Sequence, residues 1–213
     1  MKLEIPNRRF GGYIFDCDGT LADTMPLHYR AWRRMFGEIG AAFPADLFDQ
    51  WGGKPTMRIL EELRDHHGMD FGDFARAAAR KESYFVDWLH EIRPIEPVVD
   101  LARRSHGRLP MAVASGGLRE HVEATLDALG IRTLFAAVVC VEDCARGKPH
   151  PDPFLEAARR LDVPPADCLV FEDSPLGFAA AAAAGMACVR IPPARATAGH
   201  EWGGHALASI VSR

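Results

Sequence analysis

Short apolar runs alternate with helix-patterned stretches through most of this chain, and that alternation limits the folds open to it more than any other feature. The runs, rich in β-branched residues, cover residues 13–15, 111–114, 137–141, 168–171 and 187–191. Helical patterns lie between them at 96–105, 118–129, 152–161 and 175–184, with Gly130 and Gly185 placed to end two of these helices. Strands alternating with helices of this length predict an α/β fold: a parallel sheet covered by helices on both faces. The run of alanines at 179–184 favours helix and lets it lie close to the sheet.

One region breaks the rule. From about residue 25 to residue 92 no strand pattern occurs. Leu27, Ala31, Arg34/Met35 and Ile39 recur at helical spacing, then Ile59, Leu60 and Leu63, then Phe74, Ala77, Ala78, Tyr84, Phe85 and Leu89. Pro26 lies just inside the start of this stretch, and Pro94 and Pro97 just after its end. The expected organisation is an all-helical cap, residues 25–92, inserted after the first strand of a core formed by residues 1–24 and 93–213.

At 213 residues and 48% hydrophobic, the chain has material for one sizeable core with a smaller insert. A formal charge of -4 gives no sign of nucleic-acid binding. No apolar stretch reaches the length of a membrane span. Residues 1–10 carry charge and a proline without the apolar segment of a signal peptide, so a soluble, cytoplasmic protein is expected, a monomer or weak homo-oligomer. The five cysteines include no C-x-x-C pair and sit mostly within or beside apolar runs, as small buried hydrophobes.

Acidic residues stand where strands should end. In Phe15-Asp16-Cys17-Asp18-Gly19-Thr20, extended backbone directs Asp16 and Asp18 one way and Cys17 the other. Neighbouring carboxylates repel unless a cation lies between them or one keeps a proton. A calcium loop is excluded, since Leu21 and Leu27 occupy its glycine and bidentate-acid positions. Glu172-Asp173 ends a second apolar run, and Ser115 with Gly116-Gly117 ends a third, offering a hydroxyl and free backbone N–H groups to a phosphate. Lys148 lies in Gly147-Lys148-Pro149-His150-Pro151, where the following proline restricts its backbone. Each has an ordinary reading: an Asp-Gly turn, a helix cap, a glycine turn, a solvated lysine. Their shared location decides, because ligands of open parallel sheets bind beyond the carboxyl ends of the strands. Three acids, a hydroxyl and a lysine converging there suit a hard cation and a phosphate.

The order DCDGT, VASG, GKPHPDPF and FEDSPLGFAAAAAAG resembles the haloacid dehalogenase-like superfamily, in the branch with a helical cap that holds sugar phosphatases and β-phosphoglucomutase. The resemblance spans residues 13–191, and residues 23–32 resemble the first cap helix of that branch. It implies a Rossmann-like core, with Asp16 attacking phosphorus to give an aspartyl-phosphate and Asp18 as acid and then base. It further implies Mg²⁺ held by the Asp16 carboxylate, the Asp18 backbone carbonyl and Asp173, with Glu172 close by or acting through water. Ser115, Gly116 and Lys148 would bind phosphoryl oxygens.

His28 and Lys81 resemble cap positions used by β-phosphoglucomutase. The loop 51–58 departs from the mutase pattern, having no obvious counterpart of the arginine that grips a distal phosphate. It is more similar to loops of fructose-1-phosphatase-type enzymes, with Lys54 or Arg58 available to a substrate. The expectation is therefore a phosphatase acting on a small phosphomonoester, a sugar phosphate. The alternatives are a mutase using the same phosphoaspartate and a silent binding or regulatory protein that keeps the fold.

Overall fold

The computed structural model describes residues 2–41, 43, 47–48 and 54–192. The sequence after Ile191, with Pro192-Pro193, Gly199 and Gly203-Gly204, has a loop-rich composition. Beyond Pro192 it lies outside the described residues, as do residues 51–53 of the loop 51–58.

Five strands form one parallel sheet: β1 (Gly12–Phe15), β2 (Met111–Ala114), β3 (Ala137–Val139), β4 (Cys168–Glu172) and β5 (Ala187–Arg190), in the order β3-β2-β1-β4-β5. Phe15 is in register with Val113 on one side and Phe171 on the other, so the strands end together at one edge. The central strands β2 and β4 are buried throughout, as expected where helices cover both faces.

Alternation along each strand sorts the core into two layers. Phe15, Val113, Leu169 and Phe171 pack with Val98, Val99 and Ala102 of α4 (Glu96–Ser105) and with Val122 and Leu126 of α5 (Arg119–Ala128). Ile14, Ala112, Ala114 and Val170 face Phe154, Ala157 and Leu161 of α6 (Asp152–Leu161) and Ala180 and Ala181 of α7 (Pro175–Ala183). Phe15 and Phe171 stack at 4.6 Å across the β1–β4 pair. Fully buried side chains of this size contribute about 1.5–3 kcal/mol each. Cys17, Cys140 and Cys168 are buried in these layers, while Cys144 and Cys188 are partly buried.

Residues 25–87 hold no strand among those described. They form α1 (Met25–Glu38), α2 (Thr56–His67) and α3 (Phe74–Asp87), with a hydrophobic cluster of their own around Trp32, Phe36, Leu60, Leu63 and Phe85. The chain enters and leaves this segment through two paired stretches. Asp23 donates its backbone N–H to Arg93 at 2.9 Å, Ile95 donates to Leu21 at 2.9 Å, and Ala22 bridges Pro94.

Two local expectations need correction. The third strand stops at Val139 rather than running to residue 141, because the Asp143 carboxylate takes the Cys140 N–H at 2.8 Å and turns the chain into a single helical turn. Ile39, assigned to the apolar stripe of α1, lies just past the end of that helix and is exposed.

Candidate active site

β1 sits at the centre of the sheet, and the chain departs from it toward β2 on one side and β4 on the other. The crevice at such a reversal is where open α/β sheets hold ligands. Asp16 follows β1, Ser115 follows β2, Asp173 follows β4, and Lys148 lies in the loop after β3. Asp16 continues the alternation of Ile14, whereas Cys17 packs with Phe15 in the opposite layer.

Lys148 joins two of the acids. Its Nζ donates to Asp16 Oδ1 at 2.6 Å and to Glu172 Oε2 at 2.7 Å, with all three side chains at least nine-tenths buried. Burial opposes the charge on Lys148, but Asp16 and Glu172 outweigh it and push its pKa up. Asp16 is raised well above the usual carboxylate range, by burial first and then by the charge of Glu172, with Lys148 opposing. Burial and the charge of Glu172 likewise raise Asp173 to about 7. One lysine therefore does not neutralise this cluster. Asp16, Glu172 and Asp173 each offer a carboxylate oxygen, and these lie within 4.8 Å of one another. An all-oxygen set of crowded carboxylates, two of which (Asp16 and Asp173) hold their protons above the usual range, fits a hard divalent cation.

Glu172 has a further task. Its Oε1 accepts from the Ser174 N–H at 2.9 Å, the Ser174 hydroxyl at 2.8 Å and the Asp173 N–H at 3.1 Å. Ser174, not an acid, caps α7 by accepting from the Gly177 N–H at 3.1 Å. Gly177 is required there, since a Cβ would collide with the Glu172 carboxylate. Gly19 is required at φ 83°, where a Cβ would strike Asp173.

Asp18 occupies a different environment. Its Oδ1 accepts from the Thr24 hydroxyl at 2.7 Å and lies 3.4 Å from His28 Nε2. Thr24 stands at the N-cap of α1 yet gives that helix no side-chain cap, because its hydroxyl is turned to Asp18. Burial would raise Asp18, but the hydrogen bonds from His28 and Thr24 and the charge of Lys81 outweigh it and hold Asp18 below the usual carboxylate range. Lys81 Nζ lies 2.8 Å from His28 Nδ1, and the imidazole stacks on Phe85 at 4.1 Å. An ammonium has no lone pair, so Nδ1 accepts and the neutral ring carries its proton on Nε2, facing Asp18.

Ser115 is buried and accepts from the Gly117 N–H at 3.0 Å, which leaves its own hydroxyl proton to donate elsewhere. A Cβ on Gly117 would lie 3.3 Å from Ser115 Oγ and 3.8 Å from Asp18 Oδ2, so the Ser115-Gly116-Gly117 turn closes on Asp18. Lys54 belongs to another group. Its Nζ is 2.7 Å from both oxygens of Glu62, and Arg58 pairs with Glu61. Thr20 stands out in the sequence only as part of the DGT motif, common to both phosphatase and mutase; its hydroxyl donates to Asp173 Oδ1 at 2.9 Å, whereas Thr24 and Glu82 were passed over. Of those two, only the threonine two residues before Pro26 carried a signal, as an N-cap, and that signal pointed away from its observed partner.

Carboxylates, a lysine and a hydroxyl gathered beyond one edge of a parallel sheet make this a Rossmann-like α/β enzyme. The model of the haloacid dehalogenase-like hydrolase family matches residues 10–185, and the chain belongs to that family. It is 39% identical over 183 residues to fructose-1-phosphate phosphatase YqaB of Escherichia coli (strain K12), covering 86% of this chain and 97% of that protein. It is 29% identical over 186 residues to β-phosphoglucomutase of Bacillus subtilis (strain 168), covering 84% and 81%. The crystal structure of CbbY from Rhodobacter sphaeroides in complex with phosphate superposes with a TM-score of 0.76 at 30% identity, covering 86% of each chain. Among the described residues no helix is long and apolar enough to cross a membrane.

Proposed function

We propose that the protein is a Mg²⁺-dependent phosphatase that hydrolyses a small sugar phosphate through a phosphorylated Asp16. The observation that carries this reading is the division of labour between two aspartates two residues apart. Asp16 is bound by Lys148 in an acidic, cation-seeking cluster, while Asp18 is bound by Thr24 and His28 outside it.

Asp16, Asp173 and the Asp18 backbone carbonyl would hold the metal, with Glu172 behind them on Lys148. Bound there, the cation offsets the repulsion between anionic nucleophile and anionic phosphate. With one carboxylate oxygen on Lys148, Asp16 directs the other at phosphorus. As the new O–P bond forms, the ester P–O bond breaks, and the departing oxygen takes a proton from Asp18. The negative charge of the incoming phosphate favours the protonated form of Asp18 needed for that step. Asp18, ionised again, then removes a proton from water as its oxygen attacks phosphorus. The bond to Asp16 breaks and inorganic phosphate leaves. Acid–base assistance of this kind contributes roughly 10²–10⁴ in rate. Lys148, the Ser115 hydroxyl and the Gly116 N–H would bind the phosphoryl oxygens, and residues 25–92 would act as a cap that excludes bulk water.

The similarity to a fructose-1-phosphate phosphatase supports a phosphorylated sugar and hydrolysis rather than isomerisation. The site geometry is compatible with a mutase, since both activities share the phosphoaspartate. The cytoplasm and a monomer or weak homo-oligomer go with this reading. The test is to incubate protein and Mg²⁺ with a panel of sugar monophosphates, and β-glucose-1-phosphate with a bisphosphate primer, following free phosphate and glucose-6-phosphate. Phosphate release that disappears in Asp16→Asn is expected. Glucose-6-phosphate without phosphate release would make the protein a mutase, and turnover by Asp16→Asn would remove Asp16 as nucleophile.

A further inference from the structure

Glu82, on α3, is a largely buried carboxylate with partners from three parts of the chain. Its Oε1 accepts from Lys81 Nζ at 2.9 Å and from the Thr56 hydroxyl, at the start of α2, at 2.5 Å. Its Oε2 lies 3.4 Å from Nδ1 of His121, on α5 of the core. Among the described residues, Glu82 is the only carboxylate ion-paired with Lys81. The Lys81 side chain is 3% exposed, and its other surroundings include the rings of Trp32 at 5.6 Å and Phe85 at 5.7 Å. A buried ammonium between aromatic rings keeps one direction only if a fixed acceptor holds it there.

We propose that Glu82 is a positioning residue for the reaction: it holds Lys81 Nζ on His28 Nδ1 and so fixes the imidazole tautomer that presents Nε2–H to Asp18. This rests on Asp18 being the acid–base group. Glu82 touches neither Asp18 nor the acidic cluster and acts through two intervening side chains. Four features fit that role. Lys81, Nδ1, Nε2 and Asp18 Oδ1 form a continuous chain in which each donor meets an acceptor. Stacking on Phe85, nearly parallel at 3°, fixes the ring plane but not which nitrogen carries the proton, so the tautomer needs a polar determinant. The charge of Lys81, opposing the cost of burial, also keeps Glu82 ionised, with its pKa lowered, so the pair is mutually sustaining. The contact with His121 and the bond from Thr56 anchor the carboxylate from outside α3. Lys81 thus meets an acceptor held in place rather than a free side chain.

The experiment reads the tautomer directly. Long-range proton–nitrogen correlation spectra of ¹⁵N-labelled protein, with His28 assigned through His28→Asn, report which ring nitrogen is protonated at mildly alkaline pH, where an ordinary imidazole is neutral. The wild type is expected to show Nε2–H. In Glu82→Gln the single tautomer should be lost, and in Glu82→Asp it should be regained. Kinetically, Glu82→Gln should lower kcat roughly 10–100-fold with KM within about threefold, the pattern of an interaction that matters in the transition state. Added to Lys81→Met, it should change kcat by less than about twofold, because the two act in series. Native melting of each variant guards against unfolding, with Glu82→Asp as the conservative partner. Retention of Nε2–H on His28 in Glu82→Gln, or an undiminished effect of that change in the Lys81→Met background, overturns the proposal. If no ester is hydrolysed by the wild type, the phosphatase reading fails, while the tautomer comparison still decides whether Glu82 orders His28.

Discussion

Thr20 donates its hydroxyl to Asp173 Oδ1 at 2.9 Å, tying the loop after β1 to the loop after β4 across 153 residues of chain. The bond favours the ionised form of Asp173 against burial and fixes the carboxylate that completes the acidic cluster. Thr20→Val keeps the shape and removes the donor. Mg²⁺ affinity, followed by calorimetric titration, is expected to fall roughly tenfold, as for partners that orient a metal ligand. Turnover at saturating Mg²⁺ should fall much less. Unchanged affinity would mean that Thr20 merely fills space.

Lys148 is the one cation paired with Asp16 and Glu172 among the described residues. Lys148→Met keeps an unbranched apolar side chain but removes the ammonium, and with it the cation–π contact to Phe154, leaving two buried carboxylates facing each other. Breaking a buried pair in this way costs about 3–5 kcal/mol. The metal-free variant should melt well below the wild type, and Mg²⁺ should recover part of the loss by bringing positive charge to the cluster. Phosphate release should fall by at least ~10²-fold, as for loss of a fixed electrostatic donor. A variant as stable as wild type without metal would show that Lys148 is not needed to hold Asp16 and Glu172 together.

The sheet and the group around Asp16 were legible because they depend on order along the chain. Parallel strands end at one edge, so Asp16, Ser115 and Asp173 fall together whatever the details of packing. Boundaries at β3 and at Ile39 were not legible, since a carboxylate three residues ahead ends β3 and α1 itself ends at Glu38. The surroundings of Asp18 were hidden for a stronger reason. Thr24 carries an N-cap signature, and the chain spends that hydroxyl on an aspartate instead. Glu82 carries no signal in the sequence, and the approach of α2 and α5 to α3 encloses it beside Lys81, Thr56 and His121. Periodicity reports which face of a helix is apolar, not which polar side chains that face shuts in.

Gly177 meets Glu172 so closely that a single methyl group tests the fit. Its position in the first turn of α7 has no special backbone angle, so alanine would favour the helix there. Any destabilisation by Gly177→Ala must then come from displacing the Glu172 carboxylate, which holds Lys148 and the Ser174 N–H and hydroxyl. Overpacking of this kind typically costs 1–3 kcal/mol, and thermal melting should place the loss at about that size. A gain in stability would show that Glu172 swings aside freely and is not needed to seat Lys148.

Asp173, raised to about 7, makes metal-free stability depend on pH in an unusual direction. A carboxyl whose folded pKa lies above its unfolded value of about 3.9 stabilises the fold fully below that lower value. The contribution is lost as pH rises through about 7. Asp16, shifted the same way, adds to the trend. Asp18 is flat here, because a carboxylate held below its ordinary value loses its contribution only as pH falls below the ordinary carboxylate range. Metal-free protein should therefore melt a few degrees lower at about pH 8 than at about pH 5.5. Mg²⁺ competes with protons for the same oxygens, so the stabilisation it brings should be larger at the higher pH, flattening or reversing the slope. Metal-free melting temperatures that rise across this interval would mean that the acidic cluster is ionised at little cost, and would remove the reason for a cation to bind there.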